Sequence, residues 1–270
     1  AVMGTNGKTT ISYLLESILK GAGCKCGVLG TVNYRYNDKV YDAPNTTPES
    51  YEMQKILRAM ADDGVTHVVA EVSSHAVDLK RVDDCDFDLG IFTNLTRDHL
   101  DYHVTMENYF QAKKRFFAEI LPQSRKGYAQ KMIINADDDW GRRILKDVPL
   151  PALTYGIEND CAVRSLNCKL SLNGIEADIR LAGNNVLIQS PLIGKFNLYN
   201  ILAAAGAAFI LHIPVPVIKA GIENLSHVPG RLESVPSAGG VHVFVDYAHT
   251  DDALRRVLQN LSELKKNKII

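Results

Sequence analysis

The chain has 270 residues, enough for one large domain or for one domain and part of another. Hydrophobic residues make up 46% and can fill a sizeable core, while 30 basic against 31 acidic residues leave a formal net charge of -1. That balance excludes capture of nucleic acid or of an anionic membrane surface by bulk charge, and no apolar run approaches the roughly 20 residues of a membrane-crossing helix.

Ala1-Val2-Met3 reads as the cut-short end of a strand, with no leader peptide visible. It runs straight into Gly4-Thr5-Asn6-Gly7-Lys8-Thr9-Thr10, which should join that strand to a helix over 9–22. Glycines let such a loop turn tightly and aim N–H groups at phosphate oxygens, and the helix N-terminus adds a favourable dipole. Lys8 can then reach the β- and γ-phosphates, and the Thr9 hydroxyl can ligate magnesium. The usual phosphate loop has a glycine where this chain has Val2, so the pattern is met in part.

Strands at 27–29, 66–72, 89–94 and 131–135 alternate with helices at 49–62, 105–121 and 140–146. This is the rhythm of βαβ units around a mainly parallel sheet. The run 66–70 reads as a buried central strand, and Glu71 closes it. A carboxylate there is costly unless it meets a cation. His99 falls just past the next strand. Ligands in open α/β sheets gather at the carboxyl ends of strands, so Glu71 and His99 together suggest a magnesium site on the phosphate side. In the helix at 105–121, Met106, Phe110, Phe117 and Ile120 form one apolar stripe, and Lys113 falls on it while Lys114 and Arg115 point away. Two readings fit: a buried, deprotonated amine, or a lysine whose stem lines the core and whose head reaches water. The five cysteines, Cys24, Cys26, Cys85, Cys161 and Cys168, are odd in number and lack metal-like spacing, as expected of reduced thiols in a cytoplasmic protein.

From 153 to 193 short alternating runs separated by Asn-Gly and Gly-Asn-Asn turns predict an antiparallel meander. A small-residue helix follows at 198–211. A domain boundary is expected near Gly230: residues 1–230 would form one domain, and 231–270 the first βα unit of another, with a strand at 241–246 and a helix at 252–264. The final 268–270 reads as the start of a further strand, so both ends look trimmed.

The chain resembles the Mur ligases over its whole length, and within them the branch that adds the third residue of the stem peptide. The resemblance rests on the phosphate loop, Asn45-Thr46-Thr47-Pro48, Glu71-Val72-Ser73-Ser74-His75-Ala76, the run 93–103, Ala112-Lys113, Phe196-Asn197-Leu198-Tyr199-Asn200, Gly230-Arg231-Leu232-Glu233 and Asp246-Tyr247-Ala248-His249-Thr250. It implies a central ATP-binding domain followed by the start of the C-terminal ligase domain. Lys8 and Thr9 would hold phosphates and magnesium, and Glu71 and His99 would ligate the metal. Lys113 would react with CO₂ to give a carbamate, a carboxylate for a hard cation. Asn45, Thr46, Thr47, Ser73 and Arg81 match positions that hold a UDP-MurNAc-peptide. Asn200, Arg231 and Asp246 match positions around adenine and ribose. Val104 replaces a common glycine, and Asp251 a common proline.

The implied reaction spends ATP to make an amide. The terminal carboxylate of UDP-MurNAc-L-Ala-D-Glu attacks the γ-phosphorus, an acyl phosphate and ADP form, and the amine of an amino acid such as meso-diaminopimelate or lysine displaces phosphate. Positioning and charge neutralisation would carry the catalysis. A cytoplasmic monomer acting on small molecules is expected, with the fragment alone inactive. Two alternatives are a folylpolyglutamate-synthase-like ligase, which usually has serine and glycine after the loop lysine, and a Mur-like nucleotide-binding protein with a structural role.

Overall fold

The computed structural model describes residues 1–127, 130–237, 241–249, 251–264 and 268–270. Its strands are β1 (Val2–Met3), β2 (Cys26–Leu29), β3 (Tyr34–Tyr36), β4 (Lys39–Tyr41), β5 (His67–Ala70), β6 (Leu89–Phe92), β7 (Lys131–Asn135), β8 (Ala152–Gly156), β9 (Val163–Ser171), β10 (Gly174–Leu181), β11 (Asn184–Ser190), β12 (Glu233–Val235) and β13 (Val243–Val245). Its helices are α1 (Lys8–Gly21), α2 (Ser50–Asp62), α3 (Ser74–Asp78), α4 (Leu100–His103), α5 (Met106–Arg115), α6 (Asp139–Asp147), α7 (Lys195–Ile210), α8 (Val215–Glu223) and α9 (Asp251–Leu264).

The expected mainly parallel sheet is present. β1, β6, β7, β8 and β9 lie side by side in parallel, and β10 and β11 extend that sheet antiparallel. A second sheet, ordered β4-β3-β2-β5, abuts it through a parallel bridge between Val2 and Glu71. Alternate side chains feed two cores. Val2, Val28, Ile91 and Ile133 pack on one face with Ile11, Leu14 and Ile18 of α1 and the small residues of α7. Met3, Leu29, Phe92, Met132 and Ile134 pack on the other with Met53, Phe110 and Phe117. Helix α7 is buried nearly all round, which its alanine-rich sequence permits.

Several sequence expectations are corrected. Residues 152–156 join the sheet parallel to both neighbours, so the antiparallel meander begins at Val163 rather than 153. The turn after β8 is held by Asp137, whose carboxylate accepts the backbone N–H of Ile157, Glu158 and Asn159 at 2.6, 2.9 and 2.9 Å. The single helix expected over 105–121 leaves α-geometry at Arg115 and continues as a π-turn over Phe116–Ile120 and a 3₁₀ turn over Leu121–Gln123. The wider turn lets consecutive Phe116 and Phe117 both point inward against Gly90 of β6. The strand at 66–70 is buried only in its second half; Val68 is 38% exposed. The β3–β4 hairpin was not anticipated, and neither were α3, α4 and α8. Within 241–246 only Val243–Val245 is strand, paired antiparallel to β12, and 268–270 is not strand. All five cysteines are free thiols, and Cys168 is exposed. Among the described residues no helix is long and apolar enough to cross a membrane.

Candidate active site

Residues 4–7 connect β1 to α1. Gly4 and Gly7 have φ of 143° and 93°, a region that disfavours side chains, and a Cβ on either would strike Thr93 or Asn200 respectively. Asn94, just past β6, holds the loop: its carbonyl accepts from Thr5 N at 2.9 Å and its side chain accepts from Asn6 N at 3.0 Å. The first backbone bond of α1 runs from Ile11 N to Gly7 O at 3.0 Å, so the N–H groups of Lys8, Thr9 and Thr10 precede the ladder. Thr9 and Thr10 are buried. Lys8 folds back, and Nζ donates to Gly4 O at 3.0 Å and Thr5 O at 2.9 Å. Burial pushes this amine below the usual lysine range; Glu71 pulls it up, Arg231 adds to the lowering, and Asp98 pulls it up again.

Glu71 follows β5 and is 1% exposed. Its Oε2 accepts from Thr9 Oγ1 at 3.1 Å and Thr31 Oγ1 at 2.8 Å, and its Oε1 from Thr31 N at 3.2 Å and Ser12 Oγ at 3.4 Å. A Cβ at Gly30 would collide with this carboxylate. Neutral donors surround the group, and cationic Lys8 and Arg231 stand at the same loop; Arg231 donates to Thr9 Oγ1 at 3.1 Å. A buried carboxylate beside a phosphate-loop hydroxyl is an oxygen donor set that suits a hard divalent cation.

Lys113 is 1% exposed on the apolar face of α5, while Lys114 and Arg115 are half-buried and pair with Asp147 and Asp83. Its Nζ donates to Gly4 O at 3.1 Å and lies 4.7 Å above the Tyr109 ring. Desolvation drives its pKa well below the ordinary lysine value; nearby Lys8 lowers it further and Asp98 opposes. At 1% exposure the head of Lys113 does not reach water, which excludes the snorkelling alternative. Tyr109 also bonds Thr5 Oγ1 at 3.1 Å through its hydroxyl and takes the His99 ring edge-on at 5.9 Å. His99 has a φ of 52°, with Nε2 3.4 Å from Asp98. Burial lowers its pKa, and Asp98 opposes that. Among the described residues no three His, Cys, Asp or Glu side chains converge. The predicted ligand set contains only two such residues, with Thr9 and Lys113 as its other members.

The acceptor-side candidates join the same network. Thr47 Oγ1 donates to Glu71 O at 2.9 Å and accepts from Ser73 N at 3.1 Å. Arg81 donates to Thr47 O at 3.2 Å and pairs with Glu49 at 2.6 Å. Thr46 shares a hydroxyl contact of 3.1 Å with Thr31, and Asn45 O accepts from Tyr34. Asn200 lies under Gly7 and donates to Asn197 at 3.0 Å. Asp246 stands apart, accepting from Leu232 N at 2.7 Å and Ala248 N at 2.8 Å. Thr250 lies outside the described residues. A cleft of about 330 Å³ is lined by Asn197, His227, Arg231 and Glu233, among others. Sequence reasoning missed Ser12 and Thr31. Ser12 lies three residues beyond Thr9 on α1, a spacing that could have revealed it.

The phosphate-loop turn, the parallel sheet and the buried carboxylate at the adjoining strand end define an α/β protein of the P-loop type. Residues 2–208 match the family model of the Mur ligase middle domain, and residues 230–270 that of the Mur ligase glutamate ligase domain. The chain belongs to the Mur ligase family. It is 48% identical over 269 residues to the UDP-N-acetylmuramoyl-L-alanyl-D-glutamate--2,6-diaminopimelate ligase of Geobacter sulfurreducens, covering 100% of this chain and 53% of that protein. The ligase of the same name from Bacillus licheniformis is 41% identical over 268 residues, covering 99% of this chain and 55% of its own length. The chain thus spans about half the length of the curated relatives it matches. A solved structure of a ligase with that name superposes with a TM-score of 0.84 at 31% identity, covering 99% of this chain and 54% of that one. Mycobacterium tuberculosis folylpolyglutamate synthase, at 17% identity and a TM-score of 0.75 over 97% of this chain and 65% of its own, shares the fold.

Proposed function

We propose that this chain is the nucleotide- and acceptor-binding part of an ATP-dependent cytoplasmic ligase that joins 2,6-diaminopimelate to UDP-N-acetylmuramoyl-L-alanyl-D-glutamate. The observation that carries the reading is the convergence on Glu71: its carboxylate meets Thr9 of the phosphate loop, and its carbonyl accepts from Thr47 of the acceptor segment. The two reactants would therefore meet across one residue. The relatives' names support the choice of acceptor and amino acid.

In this reading the backbone N–H groups at the start of α1 and the Lys8 ammonium hold the β- and γ-phosphates. Thr47, Ser73 and Arg81, with Asn45 and Thr46, fix the acceptor so that its carboxylate lies in line with the γ-phosphorus. Thr9, Glu71, His99 and a carboxylated Lys113 would hold magnesium, which when bound offsets charge on the transferring phosphoryl group. Burial favours the neutral Lys113 amine, which would attack CO₂: the N–C bond forms as one C=O π pair moves onto oxygen, and the nitrogen's proton passes to solvent, leaving a carbamate. Asn200, Arg231 and Asp246 would frame adenine and ribose, with residues 231–270 opening the domain that brings the amine.

The test is phosphate release by the full-length protein. Release should require ATP, magnesium, the UDP-linked dipeptide and diaminopimelate together. Turnover on a folate with glutamate in place of these, or nucleotide binding with no turnover on any pair, would overturn the proposal.

A further inference from the structure

Thr31 follows β2 in the short link toward the β3–β4 hairpin, and no motif pointed to it. It makes two of the four polar contacts to the Glu71 carboxylate, through its hydroxyl at 2.8 Å and its N–H at 3.2 Å, while the Ser12 hydroxyl has its shorter acceptor in Thr9 O at 2.8 Å. The same hydroxyl is 3.1 Å from Thr46 Oγ1. A hydroxyl carries one proton, and a carboxylate oxygen accepts. If the Thr31 proton goes to Glu71, then Thr46 must donate to Thr31. A one-way chain results, running from Thr46 of the acceptor segment through Thr31 to Glu71 Oε2, where Thr9 of the phosphate loop also donates.

We infer that Thr31 is a positioning residue: its hydroxyl fixes the rotamer of Glu71 for metal binding and ties that rotamer to the acceptor segment. The inference rests on the reading of Glu71 as a metal ligand. Side chains that orient a metal-binding carboxylate in this way typically control metal affinity about 10- to 100-fold. Ser12 cannot take over the role, since it approaches only Oε1, at 3.4 Å.

Thr31→Val keeps the branched shape and the backbone N–H bond to Oε1 and removes the hydroxyl, with both its Oε2 and its Thr46 contact. Thr31→Ser restores the hydroxyl. The readout is binding of a fluorescent ADP analogue to the full-length protein, titrated with magnesium, with the midpoint compared between variants. Thr31→Val should raise the magnesium midpoint about tenfold while leaving magnesium-free nucleotide binding unchanged, and Thr31→Ser should return it to within about twofold of wild type. A magnesium-dependent wild type with an unshifted Thr31→Val would overturn the positioning role and leave the proposed function standing. An equal shift in Thr31→Val and Thr31→Ser would reduce Thr31 to packing. A wild type whose nucleotide binding ignores magnesium would overturn both this inference and the metal reading beneath it.

Discussion

Replacing Lys113 with methionine in the full-length protein deletes the amine and keeps a side chain of similar length. The hydrogen bond to Gly4 O at 3.1 Å is lost, at a cost of about 1 kcal/mol. Gly4 O is not orphaned, because Lys8 Nζ donates to it at 3.0 Å. Against this loss stands relief from the cost of burying an amine that is protonated in the unfolded chain. Desolvation holds the folded-state pKa well below the ordinary value, with Lys8 adding to the lowering and Asp98 opposing it. In the unfolded chain the amine titrates near its usual value of about 10.4. Below the folded pKa the penalty for burying a charge is fully present, and above the unfolded pKa it is gone. Between the two the unfolded chain holds one proton more, so wild-type stability climbs with pH by up to about 1.4 kcal/mol per unit. One unit of depression already offsets the lost hydrogen bond.

Lys113→Met should therefore be more stable than wild type near neutral pH, with an advantage that shrinks as pH rises toward 10. Urea unfolding at several pH values between 7 and 10 measures both the offset and the slope. A variant that is less stable than wild type at pH 7, with the same slope, would show that the amine is charged and hydrated, and would refute the reasoning. Ligation should move the other way. If Lys113 carries the proposed carbamate, Lys113→Met and Lys113→Ala should lose activity, and acetate should restore part of it in Lys113→Ala by filling the space with a carboxylate. Gain of stability with loss of activity is what a functional buried lysine predicts and a packing lysine does not.

Lys8→Ala removes the side chain that caps Gly4 O and Thr5 O, and should weaken ATP binding about 10- to 100-fold by calorimetry; unchanged affinity would remove the phosphate-loop assignment. Val104→Gly should stabilise the protein. Val104 has φ 68° and ψ −47° in a tight turn closed by Thr105 N to His103 O at 2.7 Å, and it is 73% exposed. Relief of about 1–3 kcal/mol of strain, less about 0.4–1 kcal/mol of added unfolded-state entropy, leaves a net gain of about 1 kcal/mol and a melting temperature a few degrees higher. A lower melting temperature would contradict the turn geometry.

The parallel strands were legible because each is an apolar run bounded by polar turns. Residues 27–29, 67–70, 89–92 and 131–135 all lie where periodicity places them. The β3–β4 hairpin was written as plainly, with tyrosines alternating around Asn37-Asp38 at φ of 45° and 63°, and went unread only because the runs are three residues long. The parallel pairing of β9 with β8 could not be read. The link at 157–162 is too short for a helical crossover and looks like a hairpin, but the Asp137 carboxylate grips the backbone N–H groups of Ile157 and Glu158 just past β8 and turns the chain.

The same distinction governs the site. Glu71 and Lys113 stood out because a charged residue in an apolar run contradicts its surroundings, and burial of both at 1% is the resolution of that contradiction. Ser12 and Thr31 contradict nothing. A hydroxyl is at home on a helix face or in a turn, exposed or buried, so composition is silent about which ones turn inward. What selects them is the partner: a carboxylate that folding has removed from water needs donors for its oxygens, and the chain supplies them from wherever the sheet brings a hydroxyl within about 3 Å. Once Glu71 is placed at the strand end, Thr9 and Ser12 of α1 and Thr31 after β2 are the groups that can reach it. The conspicuous residues of this site are set by the chemistry they face, and the inconspicuous ones by the need of those residues to be held still.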